Sequence, residues 1–264
     1  MVDRTDVRVE NLNRVATITI DRGDGRNAVR PQTLLDICSA FDEATAAPEI
    51  RAIILTSAGK HFSAGAEFPF LQDLTTTAGP IIRDQIYSAF QGAAKRIWNC
   101  PKPTIASVNG AAVTVGCELA LACDFRIAGT TAMFQEAWVK LGLLPPLGGL
   151  FLLPHLVGLA KANEIVLTGR AVQAEEALRI GLANRLADPD NLAEAATLWA
   201  IELAALPPLA YRAIKDGLHR GLESAMEKEW ATNVLAQTML LGTADFREGL
   251  AAVSEKRAPQ FTGS

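Results

Sequence analysis

The sequence predicts an α/β core of mostly parallel strands followed by a predominantly helical C-terminal region. Three observations carry this expectation. Short β-branched and aliphatic runs alternate with helical stretches over roughly the first 190 residues. Two of those runs end in loops of small residues. From about residue 160 onward the apolar spacing is helical, with Pro207-Pro208 and Gly242 as punctuation.

Val15-Ala16-Thr17-Ile18-Thr19-Ile20 alternates, and the turn-forming run Asp21-Arg22-Gly23-Asp24-Gly25 follows it, which reads as a strand and its exit loop. Pro31 suits a first helical position, and Leu34, Leu35, Ile37, Cys38 and Phe41 continue at helical spacing, which predicts a helix over 31–47. Residues 50–56, Ile-Arg-Ala-Ile-Ile-Leu-Thr, read as a strand buried on both faces and stopped by Ser57-Ala58-Gly59-Lys60. The order then recurs, with a helix over 80–99, Pro101-Lys102-Pro103, a strand over 104–108, and Asn109-Gly110. A helix over 116–122 and a strand over 125–128 come next. Helices are expected over 174–180, 192–206, 209–221, 222–241 and 244–256. This divides the chain into an α/β body over 1–190 and a helical region over 191–264.

Composition narrows the function. At 264 residues, with 49% hydrophobic and 20% charged, the chain can build a sizeable core, and global disorder is excluded. Lys and Arg number 25 against 29 Asp and Glu, a net charge of −4, so the chain lacks the basic footprint of a nucleic-acid binder. The polar start Met1-Val2-Asp3-Arg4 carries no apolar signal core, and a cytoplasmic protein is the expectation. Residues 141–160 hold no Asp, Glu, Lys or Arg, yet Pro145, Pro146 and Pro154 with Gly142, Gly148 and Gly149 break the run, so no membrane span is expected. Cys38, Cys100, Cys117 and Cys123 have no metal-knuckle or redox spacing and read as buried thiols.

Phosphate-binding glycine loops of the nucleotide type are absent, and Ser63 in His61-Phe62-Ser63-Ala64-Gly65 lacks the first glycine of a hydrolase elbow. What stands out is a pair of small-residue loops, Lys60 to Glu67 and Asn109 to Glu118, each just after a parallel strand. Parallel sheets place ligands beyond the carboxyl ends of their strands, so two such loops can meet over one site. Small side chains there let backbone N–H groups reach a ligand oxygen.

These motifs resemble the crotonase superfamily, that is, enoyl-CoA hydratases and isomerases. Gly25-Arg26-Asn27-Ala28-Val29 is similar to its early loop, Phe62-Ser63-Ala64-Gly65-Ala66-Glu67 to its first signature, and Asn109-Gly110 through Glu118 to Asp124 to its second. Leu141-Gly142-Leu143-Leu144-Pro145 through Gly148-Gly149 resembles the third, and Phe246-Arg247-Glu248-Gly249 with Glu255-Lys256-Arg257 the C-terminal helix. The resemblance implies a spiral of ββα units, a C-terminal region that forms a homotrimer or a dimer of trimers, and an acyl-CoA thioester substrate with no metal or redox cofactor. It implies that the N–H groups of Ala66 and Val115 form an oxyanion hole and that Glu118 is the acid/base.

Two positions depart from the family pattern. Val115 stands where glycine is usual, and a β-branched residue is strained if the loop needs positive φ. Trp138 stands where the hydratases carry their second glutamate, so half of the two-carboxylate apparatus for orienting water is missing. Three readings follow: Glu136, two residues earlier, substitutes for it; Glu118 alone shuttles a proton; or Trp138 is a pocket wall that selects the acyl group. By the same resemblance, Arg26, Ala28, Lys60, Ala64 and Lys256, with Arg257, face the CoA moiety, while Phe68, Phe70, Tyr87, Phe90 and Leu144 line the acyl pocket. A non-catalytic acyl-CoA binder and a thioester or carbon–carbon hydrolase on the same scaffold are the alternatives.

Overall fold

A computed structural model describes residues 4–206, 208–220, 234, 238, 241–257 and 259. Nine strands form two sheets among the described residues. The larger has six strands in the order β1-β2-β3-β4-β6-β9, namely Val7–Leu12, Val15–Ile20, Ala52–Ser57, Thr104–Val108, Phe125–Gly129 and Arg185–Ala187. Only β1 and β2 pair antiparallel; the rest run parallel, with Ile18 opposite Leu55 and Ile54 opposite Ile105. The smaller sheet joins three-residue strands β5 (Ala111–Val113), β7 (Met133–Gln135) and β8 (Ala171–Gln173).

Burial on both faces explains the apolar strands. Ile18, Ile20, Ile53 and Leu55 turn to the face covered by α1 (Pro31–Ala46), which presents Leu34, Ile37, Cys38 and Phe41. On the other face Val15, Ala52, Ile54, Ile105 and Ile127 meet Leu192, Ala196, Trp199 and Ala200 of α9 (Leu192–Ala204). The first helix of the C-terminal region therefore completes the sandwich around the sheet.

Between α1 and α9 along the chain come α2 (Phe68–Leu74), α3 (Gly79–Gln85) and α4 (Gln91–Trp98), then α5 (Val115–Ala122), α6 (Gly149–Val157), α7 (Leu159–Thr168) and α8 (Ala174–Arg179). The single helix expected over 80–99 is two helices joined by a π-helical turn, Ile86–Phe90. α10 (Pro208–Arg220) returns to the body through Lys215, whose Nζ lies 2.7 Å from Asp124 Oδ1, and through Tyr211, whose hydroxyl donates to Asp124 Oδ2 at 3.1 Å. α11 (Ala244–Glu255) sits on the 3-10 turn Trp138–Leu141, and a Cβ on Gly249 would come within 2.6 Å of Leu141 Cα. Most of the helix expected over 222–241 lies outside the described residues.

Candidate active site

The carboxyl ends of β2, β3 and β4 carry the loops singled out in the sequence, and a continuous hydrogen-bond network knits them together. Ser63 N donates to Ala111 O at 2.9 Å and Val113 N to Ser63 O at 2.9 Å, so the first and second signature loops run side by side as a short parallel ladder. Ala64 N donates to Arg26 O at 2.8 Å, which ties in the early loop. Asn27, wholly buried at φ 50°, donates through Nδ2 to Ala58 O and His61 O and accepts from Arg22 N. Arg22 in turn holds Ala28 O and the Glu67 carboxylate. Sequence reasoning assigned Asn27 and Arg22 no role. An Asn after Asp-Gly-Arg is a signal for left-handed backbone, but its long-range partners are invisible without the fold.

Close contact fixes the two amide-bearing positions. Gly65 has φ +98°, and a Cβ there would fall 2.3 Å from Thr114 Oγ1, so only glycine lets the loops approach. Ala66 and Val115 follow directly on this contact. Neither N–H donates to another group among the described residues: Ala66 sits in a ladder whose bonds are made by Val29 and its neighbours, and Val115 is the first residue of α5. The unusual backbone falls on Thr114, at φ 46° and ψ −112°, while Val115 has ordinary negative φ. The strain expected of a valine at this position is therefore borne by the residue before it.

Glu118 lies in the first turn of α5 and is fully buried. Its surroundings are buried but not purely apolar. Trp138 Nε1 donates to Oε1 at 3.1 Å, and the backbone N–H groups of Leu147 and Gly149 donate to Oε2 at 2.8 and 2.9 Å. All three are donors, which an ionised carboxylate accepts without competition. Gly149 opens α6, so the carboxylate also faces a helix N-terminus. A side chain at 149 would press on Glu118, since its Cβ would lie 3.1 Å from Oε2. The Gly148-Gly149 pair was legible as a motif, but its use as a donor platform was not.

At the far end of α5, buried Arg126 donates Nε to Leu182 O at 2.6 Å and Nη1 to Cys123 O at 2.8 Å, with longer bonds to Ala120 O and Leu121 O. A cation on the last carbonyls of a helix satisfies groups that have no partner within it. The helix carrying Glu118 is thus pinned at both ends.

Trp138 is 1% exposed and fills its position completely. Glu136 is buried beside Cys117 and Glu118, and neither of its carboxyl oxygens has a hydrogen-bond partner. Burial, followed by the charge of Glu118, drives its titration well above the ordinary carboxylate range.

Arg26, Lys60 and Ala64 are exposed and Ala28 half-buried on the neighbouring loops at this end of the sheet. Phe68 and Leu144 are half-buried, as is Phe70, which stacks on Phe90 at 5.7 Å between centroids. Lys256 is exposed at the left-handed end of α11, and no described contact joins it to Arg26 or Lys60. Arg257 is engaged with Glu248 and Glu255. The side chain of Tyr87 lies outside the described residues. Among the described residues no group of His, Cys, Asp and Glu could hold a metal, and no helix is long and apolar enough to cross a membrane.

This parallel-sheet spiral, with two loops knit over a buried glutamate, matches the architecture of acyl-CoA-handling enzymes built on the crotonase fold. The chain belongs to the enoyl-CoA hydratase/isomerase family, whose pattern matches residues 10–264. It is 37% identical to the protein named Probable enoyl-CoA hydratase echA8 of Mycobacterium bovis, over 97% of each chain. It is 33% identical, again over 97% of each, to the crotonyl-CoA hydratase of Syntrophomonas wolfei. Among solved structures, an enoyl-CoA hydratase/isomerase from Xanthobacter autotrophicus Py2 superposes with a TM-score of 0.88 at 32% identity, covering 99% of this chain and 100% of that one.

Proposed function

We propose that this protein transforms an enoyl-CoA through a thioester enolate, with Glu118 as the single acid/base and the N–H groups of Ala66 and Val115 as the oxyanion hole. The observation that carries the reading is the Glu118 carboxylate, fully buried and held by three donors one turn of α5 away from an unused N–H at Val115. In this mechanism Glu118 removes a proton from the carbon next to the thioester carbonyl. The bonding electrons move onto the carbonyl oxygen, where two N–H groups receive the charge; one such donor is worth about 2.7–4 kcal/mol in related sites. Glu118 then returns the proton at a second carbon, which shifts the double bond.

Trp138 favours this one-carboxylate route over two-carboxylate hydration, because it occupies the position of the second acid and spends its own N–H on the first. The substrate is an acyl-CoA, its phosphates met by Arg26, Lys60 and Lys256 and its acyl chain by Phe68, Trp138 and Leu144. Coenzyme A enters only as part of the substrate, and no separate cofactor takes part. Assembly as a homotrimer or dimer of trimers in the cytoplasm belongs to the same proposal. Incubation with a panel of enoyl-CoAs, followed by absorbance and product analysis, tests it. Isomerised or hydrated product that disappears in Glu118→Ala supports the reading. Tight binding without product, unchanged by Glu118→Ala, identifies a non-catalytic binder, and release of free CoA thiol identifies a hydrolase.

A further inference from the structure

Glu136 has no explanation in the mechanism above. It follows β7 directly, is 1% exposed, and neither of its carboxyl oxygens finds a donor. The titratable groups facing it are the Glu118 carboxylate and the Cys117 thiol, both from α5. No Lys, Arg or His pairs with it among the described residues. The donors that could have served a second anion, Trp138 Nε1 and the N–H groups of Leu147 and Gly149, are already spent on Glu118. A buried polar group without a partner is uncommon enough in folded proteins to call for a reason.

We propose that Glu136 is a proton-bearing partner of Glu118, a positioning residue whose neutral form keeps the site at one negative charge and whose ionisation sets the upper pH limit of activity. The physical argument is a division of labour between two carboxyls in one dry compartment. Three N–H donors surround one and fit its charged form; only the weak Cys117 thiol faces the other, which keeps its proton. When Glu136 ionises, a second charge appears beside the first with nothing to receive it. Glu118 is then pushed off its donors or the compartment opens.

The sign of the pH dependence follows. The folded protein holds a proton on Glu136 that the unfolded chain releases near the ordinary value of 4.5. This contribution to stability is complete below that value and is lost as pH rises toward the folded value, where the folded-to-unfolded ratio falls about tenfold per pH unit. The inference deepens the single-glutamate reading, but its first arm is independent of turnover.

The test compares wild type with Glu136→Gln and Glu136→Met, two neutral replacements of similar size, in thermal unfolding from mildly acidic to alkaline pH without substrate. Both variants are expected to unfold at higher temperature than wild type, with a gap that widens as pH rises. An infrared carbonyl band of a protonated carboxyl is expected in wild type at pH 8 and absent from Glu136→Gln. Unfolding curves that stay parallel across pH, or no such band, overturn the proposal whatever the enzyme's substrate. In the second arm, the alkaline limb of α-proton exchange in acyl-CoA is expected to move up by about one pH unit or more in Glu136→Gln. An unmoved limb overturns the activity part, and loss of exchange at every pH with the thermal result intact makes Glu136 the reacting acid instead.

Discussion

The indole Nε1 of Trp138 donates to Glu118 Oε1 over 3.1 Å, with both side chains buried. The residue that stands where the sequence resemblance places a second acid is therefore a hydrogen-bond partner of Glu118. A second carboxylate at this position would repel Glu118; the indole orients it and closes the space around it.

Replacing Trp138 with Phe keeps most of the packing and removes one of three donors. A hydrogen bond to a charged group contributes about 1.5–3 kcal/mol, so kcat is expected to fall about 10- to 100-fold. KM should change little, because the phenyl ring keeps an apolar wall toward the acyl chain and the lost donor served Glu118. Steady-state kinetics on the best enoyl-CoA of the panel check this, and a rise in KM alone would contradict it.

The contact between Gly65 and Thr114 gives a stability prediction. Gly65→Ala places a methyl 2.3 Å from Thr114 Oγ1 at φ +98° and is expected to cost more than about 2 kcal/mol. Thr114→Gly relieves a strained non-glycine conformation and is expected to stabilise the fold by about 1 kcal/mol. Combining the two should recover only the steric part, since the positive φ at 65 remains. Urea titrations of the three variants read these differences directly.

α10 is fastened by the Lys215–Asp124 pair, whose side chains are 7% and 12% exposed. Removing one member of a buried pair costs about 3–5 kcal/mol because the other is left uncompensated. Lys215→Met should therefore destabilise more than the double change with Asp124→Asn, and proteolysis should begin within Pro208–Arg220 in the single variant.

All four cysteines are buried and unpaired. Burial pushes the Cys123 thiol up to about 12, and the thiols of Cys38, Cys100 and Cys117 are raised by the same cause. Iodoacetamide at pH 8 is expected to label none in the native protein and all four after denaturation.

The parts of the fold that read well from sequence are those where burial alone dictates residue type. β4 and the first four residues of β3 are buried and bounded by turn residues, and α1 begins at Pro31 as the spacing predicts. β1 was missed because it carries Glu10 and Asn11 at an open edge. Its turn, Asn13-Arg14, takes positive φ at both residues without the glycine that usually marks such hairpins. The site divides the same way. Glu118 and the paired loops are side-chain and composition signals, whereas Leu147 N–H, Gly149 N–H and the free amides are backbone groups that sequence does not display. The solitude of Glu136 depends on which donors Glu118 has already taken, and that is decided only in three dimensions.

Deuterium exchange at the carbon next to the thioester carbonyl, followed by mass spectrometry of acyl-CoA in heavy water, probes the central claim most directly. Wild type should incorporate deuterium, and Glu118→Gln, isosteric with the native side chain, should do so at least about 1,000-fold more slowly while binding acyl-CoA with similar affinity. Exchange by Glu118→Gln at the wild-type rate would show that another group moves the proton.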